Sequence, residues 1–212
     1  MSHSPSQTTI LKTYFSVAST PSDIYEHLAV LASYTSQCRH VIECGVSSCV
    51  STWAFLAGLL ANGQKEKTMI GVDIVYHPNI VQVERLCEQP DCPINYRFIH
   101  GNSATVELPE TDLLFIDTWH VAAHLKRELA AHHAKVRKWI IMHDTTVDGV
   151  YGETIRRGLD AEKQAKESGY PIEEIRQGLW NVVEQFLVDH PEWVIERKYT
   201  NCNGLTILKR RM

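Results

Sequence analysis

Val41-Ile42-Glu43-Cys44-Gly45-Val46-Ser47-Ser48-Cys49-Val50-Ser51 is the stretch on which the reading of the chain turns. A short apolar run closes on an acid and a glycine, small hydroxyl residues follow, and a helical pattern starts at about residue 50. That is a strand feeding a helix through a tight turn. The same texture recurs in Met69-Ile70-Gly71-Val72-Asp73, Tyr96-Arg97-Phe98-Ile99-His100, Asp112-Leu113-Leu114-Phe115-Ile116-Asp117 and Trp139-Ile140-Ile141-Met142-His143-Asp144. Helical patterns fall at about 50–62, 79–88 and 120–135, and an earlier one runs from Ser22 to about Cys38. Strands alternating with helices need crossover connections and form a parallel sheet covered on both faces. The expected fold is therefore α/β, a Rossmann-like doubly wound sheet. After a helix at about 176–190, residues 193–199 and 205–209 read as an antiparallel hairpin around Asn201-Cys202-Asn203-Gly204.

The 212 residues fit one domain, expected at 21–212. The Ser, Thr and Pro content of residues 1–20 reads as a flexible N-terminal tail. A net charge of −4, from 21 Lys+Arg and 25 Asp+Glu, argues against a broad phosphate-clamping face, so no nucleic-acid partner is expected. No apolar run approaches the roughly 18 residues that span a bilayer, and no secretory signal is visible. A cytoplasmic location, no membrane partner and six reduced cysteines follow as expectations. Whether the chain pairs as a homodimer is left open.

Ligands of open parallel sheets sit beyond the carboxyl ends of the strands, near the switch point. Glu43, Gly45, Asp73, His100-Gly101-Asn102-Ser103, Asp117 and His143-Asp144 all belong to that edge. Gly45 allows close backbone approach, with small hydroxyl residues at the helix N-terminus. The loop is not GxGxxG, because Ser or Cys takes the later glycine positions. That suits a ligand with a carboxylate better than one with a pyrophosphate. Asp73 is placed to accept both hydroxyls of a ribose. The plain alternative is strand-end turn chemistry for Glu43 and Asp73, and strand-end capping for Asp117 and Asp144.

On these residues the chain resembles the class I S-adenosylmethionine-dependent methyltransferases over about residues 24–209. Glu43-x-Gly45 with Ser51 is similar to that family's first motif, Asp73 to its ribose acid and Gly101-Asn102-Ser103 to its adenine-side loop. The resemblance implies S-adenosyl-L-methionine as cofactor, held by Glu43, Gly45, Ser47, Ser51, Asp73, Ile74, Asn102, Ser103 and Asp117. Phe115-Ile116-Asp117-Thr118-Trp119-His120 and Ile140-Ile141-Met142-His143-Asp144-Thr145 resemble the metal-binding segments of catechol O-methyltransferase. Asp112 to Thr146, with Asn203 to Leu208, is more similar still to the cephalosporin-hydroxylase-like sugar O-methyltransferases. These likenesses imply a divalent cation, Mg²⁺ or Mn²⁺, on Asp117, His143 and Asp144. They make His120, with Asp117, catalytic: His120 as general base. His143 stands where the subfamily often has Glu, so it either ligates through nitrogen, favouring a transition ion, or does not ligate.

The implied reaction is methylation of a hydroxyl, with a small-molecule or glycan acceptor and a deoxysugar preferred. There is also a likeness to glycan-decorating enzymes of large algal viruses, which would put the chain in host cytoplasm. The rivals are a catechol or phenol acceptor, a nicotinamide-dependent oxidoreductase, and a methyltransferase-like scaffold without catalysis.

The remaining aromatic and imidazole residues have plainer readings. His120 and His124, at i and i+4, can make a three-ligand zinc site with Asp117, or His124 faces solvent or packs beside Leu125. His132-His133 read as helix-end residues without a functional role. Trp119 either walls the substrate pocket or packs in the core, and Trp139, Trp180 and Trp193 read as core. Asp148-Gly149-Val150-Tyr151-Gly152 reads as a loop with two glycine hinges, a lid or acceptor-side wall.

Overall fold

Each apolar run becomes a strand in a computed structural model, which describes residues 3–211. The chain runs α1 (Pro5–Ala18), α2 (Leu28–Thr35), β1 (His40–Cys44), α3 (Val50–Ala61), β2 (Lys67–Asp73), α4 (Pro78–Cys87), β3 (Ile94–His100) and β4 (Thr111–Ile116). It continues with α5 (Ala122–His132), β5 (Val136–His143), α6 (Glu153–Arg156), α7 (Ala161–Ser168), α8 (Ile172–Arg176), α9 (Trp180–Asp189), β6 (Trp193–Tyr199) and β7 (Leu205–Arg210). One seven-stranded sheet results, in the order β3-β2-β1-β4-β5-β7-β6. Among the described strands β7 alone runs against the direction of the other six, pairing antiparallel with both β5 and β6. The expected Rossmann-like sheet with an antiparallel final strand is what the chain forms.

The chain winds outward from β1 to β3 and then returns to β4 on the other side of β1, so the switch point lies between β1 and β4. The strands bury alternate residues on the two faces. Val41, Leu113, Phe115 and Ile141 face a core shared with α1–α4, while Ile42, Leu114, Ile116 and Ile140 face a core with α5 and α9. Every residue of β4 is buried, as a central parallel strand requires. All six cysteines are free thiols. Among the described residues no helix is long and apolar enough to cross a membrane.

The flexible tail expected at 1–20 is not what the described part of it forms; residues 1 and 2 lie outside the described residues. Residues 5–18 are helix α1, with Ile10 fully buried and Tyr14 and Val17 packed on the same core. The hydroxyl groups that suggest a loop bond one turn back, Thr9 to the Pro5 carbonyl and Thr13 to the Thr9 carbonyl. The helix expected at 22–38 is shorter, a 3₁₀ turn at Tyr25–His27 leading into α2. The single helix expected at 176–190 is also shorter, and α6, α7 and α8 precede it. All three are polar, and only α7 and α8 reach a small core of Val121, Ala123, Ala161 and Ile175, too little apolar periodicity to show in sequence.

Candidate active site

The loop after β1 is shaped by its contact with the loop after β4. Gly45 has φ +89°, and a Cβ there would stand 1.8 Å from the Asp117 carbonyl oxygen, so only glycine fits. Ser47 and Cys49 also take positive φ. Asp73 holds this turn, since its Oδ2 accepts from Val46 N and Ser47 N, each at 2.9 Å, and its Oδ1 from Val75 N. Both acceptor sites of Oδ2 are thus taken by the turn, and Oδ1 keeps one for a ligand hydroxyl.

A cavity of about 800 Å³ opens over this edge. Gly45, Ser47, Asp73, Ile74, Asn102, Ser103 and Asp117 line it, with Trp119, His124 and Tyr170. Its size suits a nucleoside-sized ligand. Glu43 and Ser51 do not line it. They sit behind it, buried, with Ser51 Oγ donating to Glu43 Oε1 at 2.5 Å and Thr52 Oγ1 to Oε2 at 2.7 Å. Burial outweighs those bonds and pushes the Glu43 carboxyl up to about 8. Its place in the motif is structural: it ties β1 to the first turn of α3.

At one end of the cavity, four side chains from two adjacent strand ends meet. His120 Nε2 lies 3.1 Å from Asp117 Oδ1 and 2.9 Å from Asp144 Oδ2. His143 Nδ1 lies 3.3 Å from Asp117 Oδ1 and 3.5 Å from Asp144 Oδ2. His143 Nε2 meets the Cys202 carbonyl at 2.9 Å, which sets Nε2 as the protonated nitrogen and turns Nδ1 toward the acids. Burial works against charge on both rings, but the hydrogen bonds and charges of the two aspartates raise His120 to about 10 and His143 to about 11. Conversely, the two rings hold the buried Asp144 carboxyl well below its usual range. The Oδ1 of Asp144 is nevertheless buried with no hydrogen-bond partner. Behind His120 stand Asp148 and Glu153, each 3.6 Å from Nδ1, and Arg156 pairs with Asp148 through two bonds of 2.5 and 2.9 Å.

One donor atom each from Asp117, His143 and Asp144 lies within 4.8 Å of the others, as does one each from His120, Asp144 and Asp148. Two carboxylates, an imidazole nitrogen with its tautomer fixed, and an unpartnered buried oxygen are what a divalent cation requires. The residues fit one.

His120 lies in the loop before α5, outside the helix expected from residue 120, and its close approach to Asp117 comes from the loop's fold. His124 neither faces solvent nor joins a zinc triad with Asp117 and His120. It is buried, its Nε2 3.2 Å from Ser103 Oγ, which donates to the fully buried Glu128 at 2.6 Å. Thr118 also donates to Glu128, and the His132 ring meets the Ser103 carbonyl at 2.6 Å. This network clamps the loop after β3 to α5. Trp119 lines the cavity, while Trp139 and Trp193 are buried and Trp180 is half-buried. Gly149 and Gly152 are not hinges. A Cβ on either would meet backbone oxygen at 2.6 or 2.7 Å, and the segment is pinned by bonds from Gly178, Leu179 and Trp180.

Sequence reasoning missed Gln164, Glu167, Ser168 and Tyr170, which close one side of the cavity from α7 and its exit. No local pattern marks them. It also missed Glu128, although an acid one turn beyond His124 in a helix was a visible cue.

Residues 42–145 match the family model of a methyltransferase domain. No curated protein matches the chain. A solved structure of a Corynebacterium glutamicum protein is similar at TM-score 0.61 and 13% identity, over 100% of this chain and 92% of that one. A putative caffeoyl-CoA O-methyltransferase from Staphylococcus aureus is similar at 0.58 and 12%, over 98% and 93%. An O-methyltransferase from Bacillus cereus, solved in complex with SAH, is similar at 0.56 and 10%, over 100% and 93%.

Proposed function

Since this chain carries a class I S-adenosylmethionine-dependent methyltransferase domain, we propose that it transfers the cofactor's methyl group to a hydroxyl oxygen with the help of a divalent cation. The observation that carries the reading is the cluster of Asp117, His143, Asp144 and His120 at the cavity edge, with Asp144 Oδ1 buried and unpaired. The SAH in the Bacillus cereus relative supports the choice of cofactor.

The cofactor supplies a methyl group on a sulfonium: the sulfur–carbon bond breaks as the oxygen–carbon bond forms, and sulfur keeps the electron pair. Asp117, Asp144 and His143 would hold the cation, whose chemistry is to acidify and fix a hydroxyl. Asp73 and the Gly45 turn bind the nucleoside end, with Asp73 oriented by its loop bonds. His120 takes the acceptor's proton at Nε2. Its Nδ1 keeps a proton, favoured by the negative charge of Asp148 and Glu153. That role needs the neutral ring, and the ring is neutral near physiological pH only when Asp117 and Asp144 are engaged elsewhere, so base and cation work together.

The preferred acceptor is a sugar hydroxyl, supported by the likeness of Asp112–Thr146 to sugar O-methyltransferases. A phenol is the second reading, favoured by the exposed Val147, Val150 and Tyr151 beyond β5. A mass-spectrometric screen of glycosides and catechols with isotopically labelled cofactor tests both. Labelled methyl on a sugar oxygen is expected. Label on phenols alone would replace the sugar reading, and tighter binding of NADH than of either form of the cofactor would overturn the function.

A further inference from the structure

We propose that His133, His190 and Glu192 form a second cation site, for a transition dication such as Zn²⁺, remote from the cofactor cavity. One donor atom from each of the three lies within 4.8 Å of the others. None of them lines the cavity or touches the Asp117–Asp144 cluster.

The local geometry prepares the imidazoles. His133 Nδ1 donates to the Leu129 carbonyl at 2.7 Å, which leaves Nε2 as a lone pair in the neutral ring. His190 Nδ1 already lies 3.4 Å from Glu192 Oε1. The two ring centroids are 4.0 Å apart, and Phe186 backs both at 5.4 and 4.7 Å, so the rings are held together before any ion arrives. Donor atoms around a tetrahedral zinc stand about 3.3 Å apart. The half-exposed side chains can close that gap by rotation.

The field at this point also favours a cation. Helices α5 and α9 both end here, at His132 and Asp189, and each brings the partial negative charge of its C-terminus. Two of the nearby basic groups turn to other partners: Lys135 Nζ donates to the Leu108 carbonyl and Arg210 to the Val136 carbonyl. Two imidazoles and one carboxylate select a borderline ion over Mg²⁺, and three protein ligands leave one position for water. Such an ion would tie the ends of α5 and α9 to the start of β6.

The test is calorimetric titration of Zn²⁺ into the wild type, H133A, H190A, E192Q and the Asp117→Asn/Asp144→Asn protein, with thermal unfolding in parallel. The wild type is expected to bind one equivalent more than H133A or H190A. The Asp117→Asn/Asp144→Asn protein is expected to keep that equivalent, and E192Q to hold it at least tenfold more weakly. Zinc should raise the unfolding temperature of the wild type more than that of H190A, while methyl transfer by H190A stays at the wild-type rate. If a histidine variant does not fold, E192Q decides, since it keeps size and ring stacking. Equal zinc stoichiometry, affinity and thermal shift in the wild type and all three cluster variants would overturn the proposal.

Discussion

Nε2 of His120 stands 2.9 Å from Oδ2 of Asp144, across the gap between the ends of β4 and β5. Neither residue is in a strand; each lies just beyond one, and Asp144 takes a left-handed φ of 57°. The pair joins the group that would move a proton to the group that would hold a cation, and the first predictions follow from it.

Replacing Asp144 or Asp117 by Asn should abolish turnover while changing affinity for the demethylated cofactor by less than about threefold. The demethylated cofactor is a neutral thioether that needs no metal, and Asn keeps the size of Asp117 where it lines the cavity. Initial rates and calorimetry on the same protein samples check this; equal losses of affinity and rate would assign both acids to cofactor binding.

His120→Ala should lower kcat by roughly 10²–10⁴-fold, the usual worth of a general base. Cofactor affinity should be unaffected, because the ring does not line the cavity. A rate within a factor of five of the wild type would remove His120 from the reaction.

Gly45→Ala places a Cβ 1.8 Å from the Asp117 carbonyl at a φ of +89°. The left-handed backbone alone costs about 1–3 kcal/mol, and the clash must displace one of the two loops. Chemical denaturation should show that loss, and cofactor affinity should fall at least tenfold.

Glu43 gives a pH signature. Its carboxyl is raised by burial from 4.5 to about 8, so between those values the folded chain holds a proton that the unfolded chain has lost. Stability from this group therefore falls as pH rises through that window. Urea unfolding from pH 5 to 8 should show the wild type losing stability relative to Glu43→Gln, by an amount on the order of a few kcal/mol. A difference that does not change with pH would mean that the carboxyl is ionised throughout.

Ile10→Ala should destabilise the chain by about 2–5 kcal/mol, because Ile10 is fully buried under α1. An unchanged unfolding midpoint would return the N-terminal segment to the status of a tail.

The sheet was legible because its central strands β1, β4 and β5 are largely buried on both faces and so read as apolar runs closed by polar residues, while the edge strand β3 shows only a mixed pattern. Asp73, Asp117 and Asp144 were legible for the same reason, since a run that stops on an acid puts that acid at the edge. Helix α1 was not, because the face it packs on the core is Ile10, Tyr14, Val17 and Ala18, set among hydroxyl residues. Glu43 was placed on the right strand but on the wrong side of the turn. Sequence spacing gives no sign that Ser51 and Thr52 would take both its oxygens. The cavity wall from α7 was invisible because Gln164, Glu167 and Ser168 look like any solvated helix face.

The most direct test of the central claim is transfer of labelled methyl from S-adenosylmethionine to a hydroxyl acceptor, with and without excess EDTA. The account predicts transfer that stops in chelator, returns with Mn²⁺ or Mg²⁺, and is absent from the Asp117→Asn/Asp144→Asn protein under every condition. Full transfer in chelator, or methylation by that double variant, would contradict it.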